Sequence, residues 1–163
     1  MKIIEEIREL AKKHKVYCFF DMDGTCAELK TGEKKQILDN EKGYFLGKRP
    51  LKTVLSVMEK ISKLDNVEVC ILTNCYYNEQ KQDKIAWLKK YAPFIKDENI
   101  NVIVLTEEKY TQETKHNLKP NKIKSILKEG EIAFLFEDNY NIINATNKLF
   151  DYQCAQHMSM LIE

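Results

Sequence analysis

The segment Val16-Tyr17-Cys18-Phe19-Phe20-Asp21-Met22-Asp23-Gly24-Thr25 sets two carboxylates at i and i+2 directly behind a run of strand-forming residues. In an extended chain i and i+2 point to the same side, so Asp21 and Asp23 bring concentrated negative charge to the end of a buried strand. Such a pair is costly unless a cation or a shared proton relieves it. Hard oxygens within reach of water suit Mg²⁺, which takes one or two carboxylates and leaves its other positions to water and phosphate. On these residues alone a second reading stays open, because Asp and Gly are common turn formers and DxDG can merely stop a strand.

The elements that must position this pair follow from the pattern of apolar residues. Ile3, Ile4, Ile7, Leu10 and Ala11 recur at helical spacing, which predicts a helix over about 2–14. Val16–Phe20 is the first strand. Pro50 opens a second helix with Leu51, Val54, Leu55, Met58 and Ile61 on one face. Val67–Leu72 reads as a strand ending in Thr73-Asn74, and residues 78–91, with Ile85, Trp87 and Leu88, as a helix stopped before Pro93. A third strand covers 101–105, and a polar stretch runs from Thr106 to Leu118. Pro120, at a first helical position, opens a helix to about Lys128. Ile132–Phe136 is a fourth strand ending in Glu137-Asp138; a helix over about 141–149 and a short strand near 152–155 complete the order.

Strands alternating with helices predict an α/β fold, a three-layer, Rossmann-like, doubly wound parallel sheet, and the continuous apolar strands suit burial on both faces. Ligands of such sheets sit beyond the carboxyl ends of the strands, near the topological switch point. Asp21 and Asp23, Thr73 and Asn74, and Glu137 and Asp138 all fall at those ends. Three strand ends on one edge favour a reactive centre over a chance turn.

Length and composition place few further demands. The chain of 163 residues fits one domain, with a short flap or cap segment over about 26–49. A net charge of +1, from 26 basic and 25 acidic residues, gives no overall pull towards nucleic acid or an anionic membrane. Cys18, Cys26, Cys70, Cys75 and Cys154 show no CxxC spacing, and Cys18 and Cys70 sit in apolar runs; a reducing, cytoplasmic setting is expected. The lone Cys154-x-x-His157 pair is too small a donor set for zinc. Residues 1–14 mix charge into their apolar pattern, unlike a signal peptide, and no run approaches the ~20 apolar residues of a membrane span.

Taken in order, these residues resemble the haloacid dehalogenase (HAD) superfamily of phosphatases. Asp21-Met22-Asp23-Gly24-Thr25 is similar to its DxDGT motif, Ile71-Leu72-Thr73-Asn74 to its second, Lys119 to its lysine, and Phe136-Glu137-Asp138-Asn139 to its terminal acidic pair. The resemblance spans about residues 16–155 and implies a phosphoric monoester hydrolase. Asp21 would be the nucleophile that forms an aspartyl-phosphate, and Asp23 the proton carrier. Mg²⁺ would be held by Asp21, the main-chain carbonyl of Asp23 and Asp138. Thr73 and Asn74, with Gly24 and Thr25 in the turn, would bind the phosphoryl oxygens, and Lys119 would supply fixed positive charge. Lys122 competes with Lys119 for that role. Glu137 departs from the Asp-Asp or Gly-Asp of the family; it orients a metal-bound water or is merely solvated.

Cys26–Arg49 is too short for a full helical cap and could form a flap hairpin turning near Thr31-Gly32. Gly43-Tyr44-Phe45-Leu46 before Pro50 is similar to a stretch in 5′(3′)-deoxyribonucleotidases, in which Tyr44 or Phe45 would stack on a base; hydrophobic anchoring of the flap is the other reading. The length also suits small magnesium-dependent phosphatases, and the layout that of polynucleotide phosphatase domains. Lys34, Lys35, Lys42, Lys48 and Arg49 lie near the expected entrance and would fit an anionic substrate, although they are spread among acids as on a solvated face. A small phosphorylated substrate, nucleotide among the candidates, is expected, with a nucleic-acid end less favoured and no membrane. Sugar or protein phosphatase activity, or a catalytically silent phosphate-binding protein on this fold, are the alternatives.

Overall fold

The computed structural model describes residues 2–29 and 43–163. The turn expected near Thr31-Gly32, and Lys34, Lys35 and Lys42, lie outside the described residues. Five strands, β1 (Val16–Phe20), β2 (Val67–Cys75), β3 (Ile100–Val104), β4 (Ile132–Glu137) and β5 (Ala155–His157), form one sheet in the order β3-β2-β1-β4-β5. Every pairing is parallel. β1 is central, and the chain winds outward to β3 on one side and β5 on the other, so the switch point lies between β1 and β4.

Alternation along β1 divides the core. Val16, Cys18 and Phe20 pack on one face with α1 (Lys2–Ala11), α2 (Lys52–Ser62) and α3 (Asn78–Tyr91). Phe19 faces the other way, towards Ile123 of α4 (Leu118–Ile126) and Ile142 and Ile143 of α5 (Tyr140–Leu149). The result is the doubly wound, three-layer arrangement that alternating strands and helices require. Among the described residues no helix is long and apolar enough to cross a membrane.

The differences from the expected boundaries have local causes. α1 stops at Ala11 because the Asn66 side chain, on a residue with φ of 62°, donates to the carbonyls of Ala11 (3.0 Å) and His14 (2.8 Å). β2 continues to Cys75, so Thr73 lies inside the ladder opposite Val102 rather than in a turn. α4 begins two residues before Pro120, which the first helical turn tolerates because its N–H groups have no intrahelical acceptor. β5 starts at Ala155, since Tyr152 instead turns its hydroxyl onto the main chain of Ala133, donating at 3.0 Å and accepting at 2.9 Å. Cys154 and His157 have separate partners, the Ala133 carbonyl and Ser159, and form no common site.

Candidate active site

β1 ends at Phe20, and the Asp21 N–H donates to the Phe136 carbonyl of β4 at 2.9 Å, fixing the first acid beside the end of the neighbouring strand. The chain then turns tightly: Thr25, Cys26 and Ala27 N–H all donate to the Met22 carbonyl, and Gly24 N–H donates to Ala27. The amides of Gly24 and Thr25 are therefore engaged within the loop rather than facing a ligand. Gly24 has a spatial part instead. Its φ is +81°, and a Cβ there would stand 2.1 Å from Asp138 Oδ2. Only a residue without a side chain lets Asp138 lean over this turn towards Asp21.

Two ionic groups meet at this edge. In the first, Lys119 Nζ donates to Asp21 Oδ1 (2.7 Å) and Glu137 Oε2 (2.6 Å), with all three side chains buried. Lys119 comes from the first turn of α4 and reaches this edge, while Lys122, one turn on, is exposed. Glu137 is not solvated. Its Oε1 accepts the N–H groups of Asp138 (3.2 Å) and Asn139 (3.3 Å), so both oxygens serve the protein. Asn139 in turn caps α5 by accepting from the Asn141 N–H at 2.9 Å.

Asp21, Glu137 and Asp138 each bring a carboxylate oxygen within 4.8 Å of the others, a hard donor set that fits Mg²⁺. Because Glu137 is engaged with Lys119 and two amides, Asp21 and Asp138 are the acids left to face a cation. The Asp21 carboxyl is pushed up to about 7 by burial and the charge of Glu137, against the pull of Lys119. Asp138 is also raised, by burial and by Asp21. Burial would neutralise Lys119, but Asp21 and Glu137 raise it above the usual lysine value. Such mutual repulsion among acids is the condition a divalent cation relieves.

The second group surrounds Asp23, and sequence reasoning missed two of its members. Lys84 Nζ donates to Asp23 Oδ2 (2.5 Å), Thr73 Oγ1 (2.8 Å) and the Asn74 carbonyl (2.7 Å). Lys48 Nζ donates to Asp23 Oδ1 at 2.6 Å. Both lysine side chains are fully buried, so Lys48 belongs to the site and not to a solvated face. The Trp87 indole N–H, 2.8 Å from the Lys48 carbonyl, fixes the Lys48 backbone. Phe45, 1% exposed, covers both ammoniums at 4.9 and 4.6 Å from its centroid and meets Tyr44 edge-on. Tyr44 and Phe45 thus anchor this segment on the core. Burial raises the Asp23 carboxyl, but Lys84 and Lys48 outweigh it and hold the group below its ordinary value.

The predicted residues therefore gather as two clusters at one edge: Asp21, Asp138 and Lys119 with Glu137, and Asp23 and Thr73 with Lys48 and Lys84. Asn74 adds its carbonyl to the second; its Oδ1 and the Thr25 hydroxyl are buried without a partner among the described residues. A cleft of about 220 Å³ opens beside Asp23, lined by Phe45, Asn74, Tyr76, Leu105, Lys115 and Ile142 among others. Of the Asp23 side chain 18% is accessible, against 8% of Asp21, so a ligand in this cleft meets Asp23 first.

Lys84 carries a signal in the sequence that the apolar pattern hid. The buried stripe of α3 is Gln80, Lys84, Trp87 and Leu88, and extending it back from Trp87-Leu88 reaches a lysine where an apolar residue belongs. Lys48 has no such signal. The sequence matches no protein-family model and no curated protein.

Proposed function

We propose that the protein is a phosphomonoester hydrolase of the HAD type, working through an aspartyl-phosphate on Asp21. The observation that supports this best is the separation of the two acids of one loop into unlike surroundings. Asp21 shares a lysine with Glu137 beside a cation-ready acid, whereas Asp23 sits between two lysines at the mouth of a cleft. Without metal or phosphate these surroundings set the two proton affinities the opposite way from those of a nucleophile and a proton carrier, Asp21 high and Asp23 low. A cation beside Asp21 and Asp138 and a phosphate beside Asp23 would reverse both, so the division of nucleophile and acid–base duties is one that the bound site makes.

Charge balance points to the same ligand. Among the described residues the two clusters pair four carboxylates with three lysines, leaving one net negative charge if all are ionised, with Lys115 besides on the cleft wall. A divalent cation reverses that to one net positive charge, suited to a phosphate dianion. Mg²⁺ would be held by Asp21, Asp138 and the main-chain carbonyl of Asp23, and would supply charge neutralisation for a carboxylate approaching a phosphate.

In the first half-reaction an Asp21 oxygen bonds to phosphorus, the bond to the leaving oxygen breaks, and that oxygen takes a proton from Asp23. Asp23 is ionised in the ligand-free site, so it must first gain this proton; an arriving phosphoryl group adds negative charge beside it and raises its affinity for one. In the second half-reaction water bonds to phosphorus, the phosphorus–Asp21 bond breaks, and Asp23 accepts the water's proton. Thr73 donates its hydroxyl hydrogen to a phosphoryl oxygen, and Lys119 holds Asp21 in line and offsets charge building on the equatorial oxygens.

A small phosphate ester with a flat or apolar leaving group suits the cleft bounded by Phe45, Tyr76, Leu105 and Ile142, with nucleotides the leading class. Nucleoside monophosphates, sugar phosphates, phosphopeptides, 3′-phosphorylated oligonucleotides and p-nitrophenyl phosphate, assayed with and without Mg²⁺, test the proposal. Metal-dependent phosphate release that Asp21→Asn abolishes supports it. Turnover unaffected by that substitution refutes it, and phosphate binding without turnover leaves a binding protein.

A further inference from the structure

We propose that Lys84 is a positioning residue that makes the Thr73 hydroxyl an obligate hydrogen-bond donor to the phosphoryl group while it clamps Asp23. The inference rests on the phosphatase reading above and goes beyond it in assigning a second essential lysine, on a helix that carries none of the resemblance motifs.

A lysine ammonium has three N–H donors and no acceptor. Lys84 directs all three at protein oxygens: Asp23 Oδ2, Thr73 Oγ1 and the Asn74 carbonyl. It therefore has none left for a ligand and acts only through the groups it holds. Thr73 Oγ1 is forced into the acceptor role towards Lys84, so its own hydrogen must point elsewhere. No protein acceptor for that hydrogen exists among the described residues, and Thr73 is 1% exposed at the edge where Asp21 and Asp23 converge. A hydroxyl that already accepts from an ammonium is also polarised into a stronger donor. Thr73 lies in the β2 ladder opposite Val102, so its Cα is rigid, and Lys84 removes the remaining freedom of the hydroxyl rotor.

The lysine is well held for such a task. Its side chain is fully buried, its ammonium lies 4.6 Å from the Phe45 centroid, and its helix packs on the sheet through Trp87 and Leu88. Asp23 keeps Lys48 when Lys84 is lost, which leaves the carboxylate paired and the loop supported. Substitution of Lys84 by Met preserves the buried stem and removes only the donors.

The test uses Mg²⁺-dependent hydrolysis of p-nitrophenyl phosphate by the full chain. Lys84→Met should lower kcat about 100-fold with KM changed less than about threefold, as for loss of a preorganised transition-state donor. Thr73→Val should cost a similar factor and Thr73→Ser little. The Lys84→Met/Thr73→Val double variant should be no slower than the worse single one, because both remove the same donated hydrogen bond. Propylammonium, which replaces the missing stem and charge, should restore part of the activity of Lys84→Ala, and this readout stands in if Lys84→Met does not fold. An active wild type whose Lys84→Met variant keeps its kcat, or whose double variant loses the product of the two single factors, overturns the positioning role alone. A wild-type chain inactive on every phosphate ester overturns the phosphatase reading and this inference together.

Discussion

Gly24→Ala tests how closely the loop after β1 and the end of β4 are built to one another. At φ of +81° an alanine costs about 1–2 kcal/mol relative to glycine, because its Cβ crowds the following carbonyl. The new Cβ would also lie 2.1 Å from Asp138 Oδ2, and ordinary contact at about 3.4 Å requires the carboxylate to retreat by about 1.3 Å. Moving that side chain off its rotamer adds about 0.5–1.5 kcal/mol. Gly130 supplies the control, with φ of +79° and no atom within 4 Å of an added Cβ. Gly130→Ala should therefore show the backbone cost alone, and Gly24→Ala about 2–3 kcal/mol in urea denaturation. For a domain of this length the latter is a fall in Tm of about 4–12 °C. Calorimetric titration should find Mg²⁺ affinity lowered about tenfold or more in Gly24→Ala and unchanged in Gly130→Ala, since Asp138 is displaced only in the first. Equal stability losses in the two variants, with equal Mg²⁺ affinity, would refute the placement of Asp138 over the turn.

Lys119→Met should destabilise the fold by about 3–5 kcal/mol, because it leaves Asp21 and Glu137 buried and facing each other without their shared cation; exposed Lys122→Met should change stability by less than about 0.5 kcal/mol, both read by chemical denaturation. The metal-free protein should lose stability as pH rises through about 7, since Asp21 is raised there: its contribution is complete below the unfolded carboxylate value near 4 and is gone once the folded group ionises. Asp23, held low by its lysines, contributes in the opposite sense and loses its share as pH falls below about 4. Asp21→Asn should therefore raise the Tm of the metal-free protein at pH 8, and saturating Mg²⁺ should erase that advantage. Mg²⁺ binding near pH 6 should release protons, seen as a calorimetric heat that depends on the buffer's ionisation enthalpy.

The sheet was readable because buried parallel strands must be continuously apolar, as Val16–Phe20 and Ile132–Phe136 are, and because α3 announces its end with Pro93. The acids of the site were readable for a related reason: a carboxylate placed straight after such a strand has no apolar role, so Asp21, Asp23 and Asp138 stand out by type and position. What stayed hidden was what each acid is paired with. Lys84 lies in a helix whose polar composition conceals its buried stripe, and Lys48 gains its position from Trp87, far away in sequence, with Phe45 over its ammonium. Glu137 reads as a water-orienting acid or a solvated one until its hydrogen bond from Lys119 is seen. Pairing of that kind is set by which elements the sheet order brings together, not by spacing along the chain.

A phosphatase of this kind must carry its phosphoryl group covalently on Asp21 during turnover. Borohydride reduction of the acid-quenched chain, taken during turnover of p-nitrophenyl phosphate with Mg²⁺ and followed by peptide mass spectrometry, reads it directly. The expected result is conversion of residue 21 to homoserine only when substrate and metal are both present, since borohydride reduces an acyl phosphate and not a free carboxylate. Steady turnover with residue 21 unlabelled, and an Asp21→Asn variant that still releases phosphate, would contradict it.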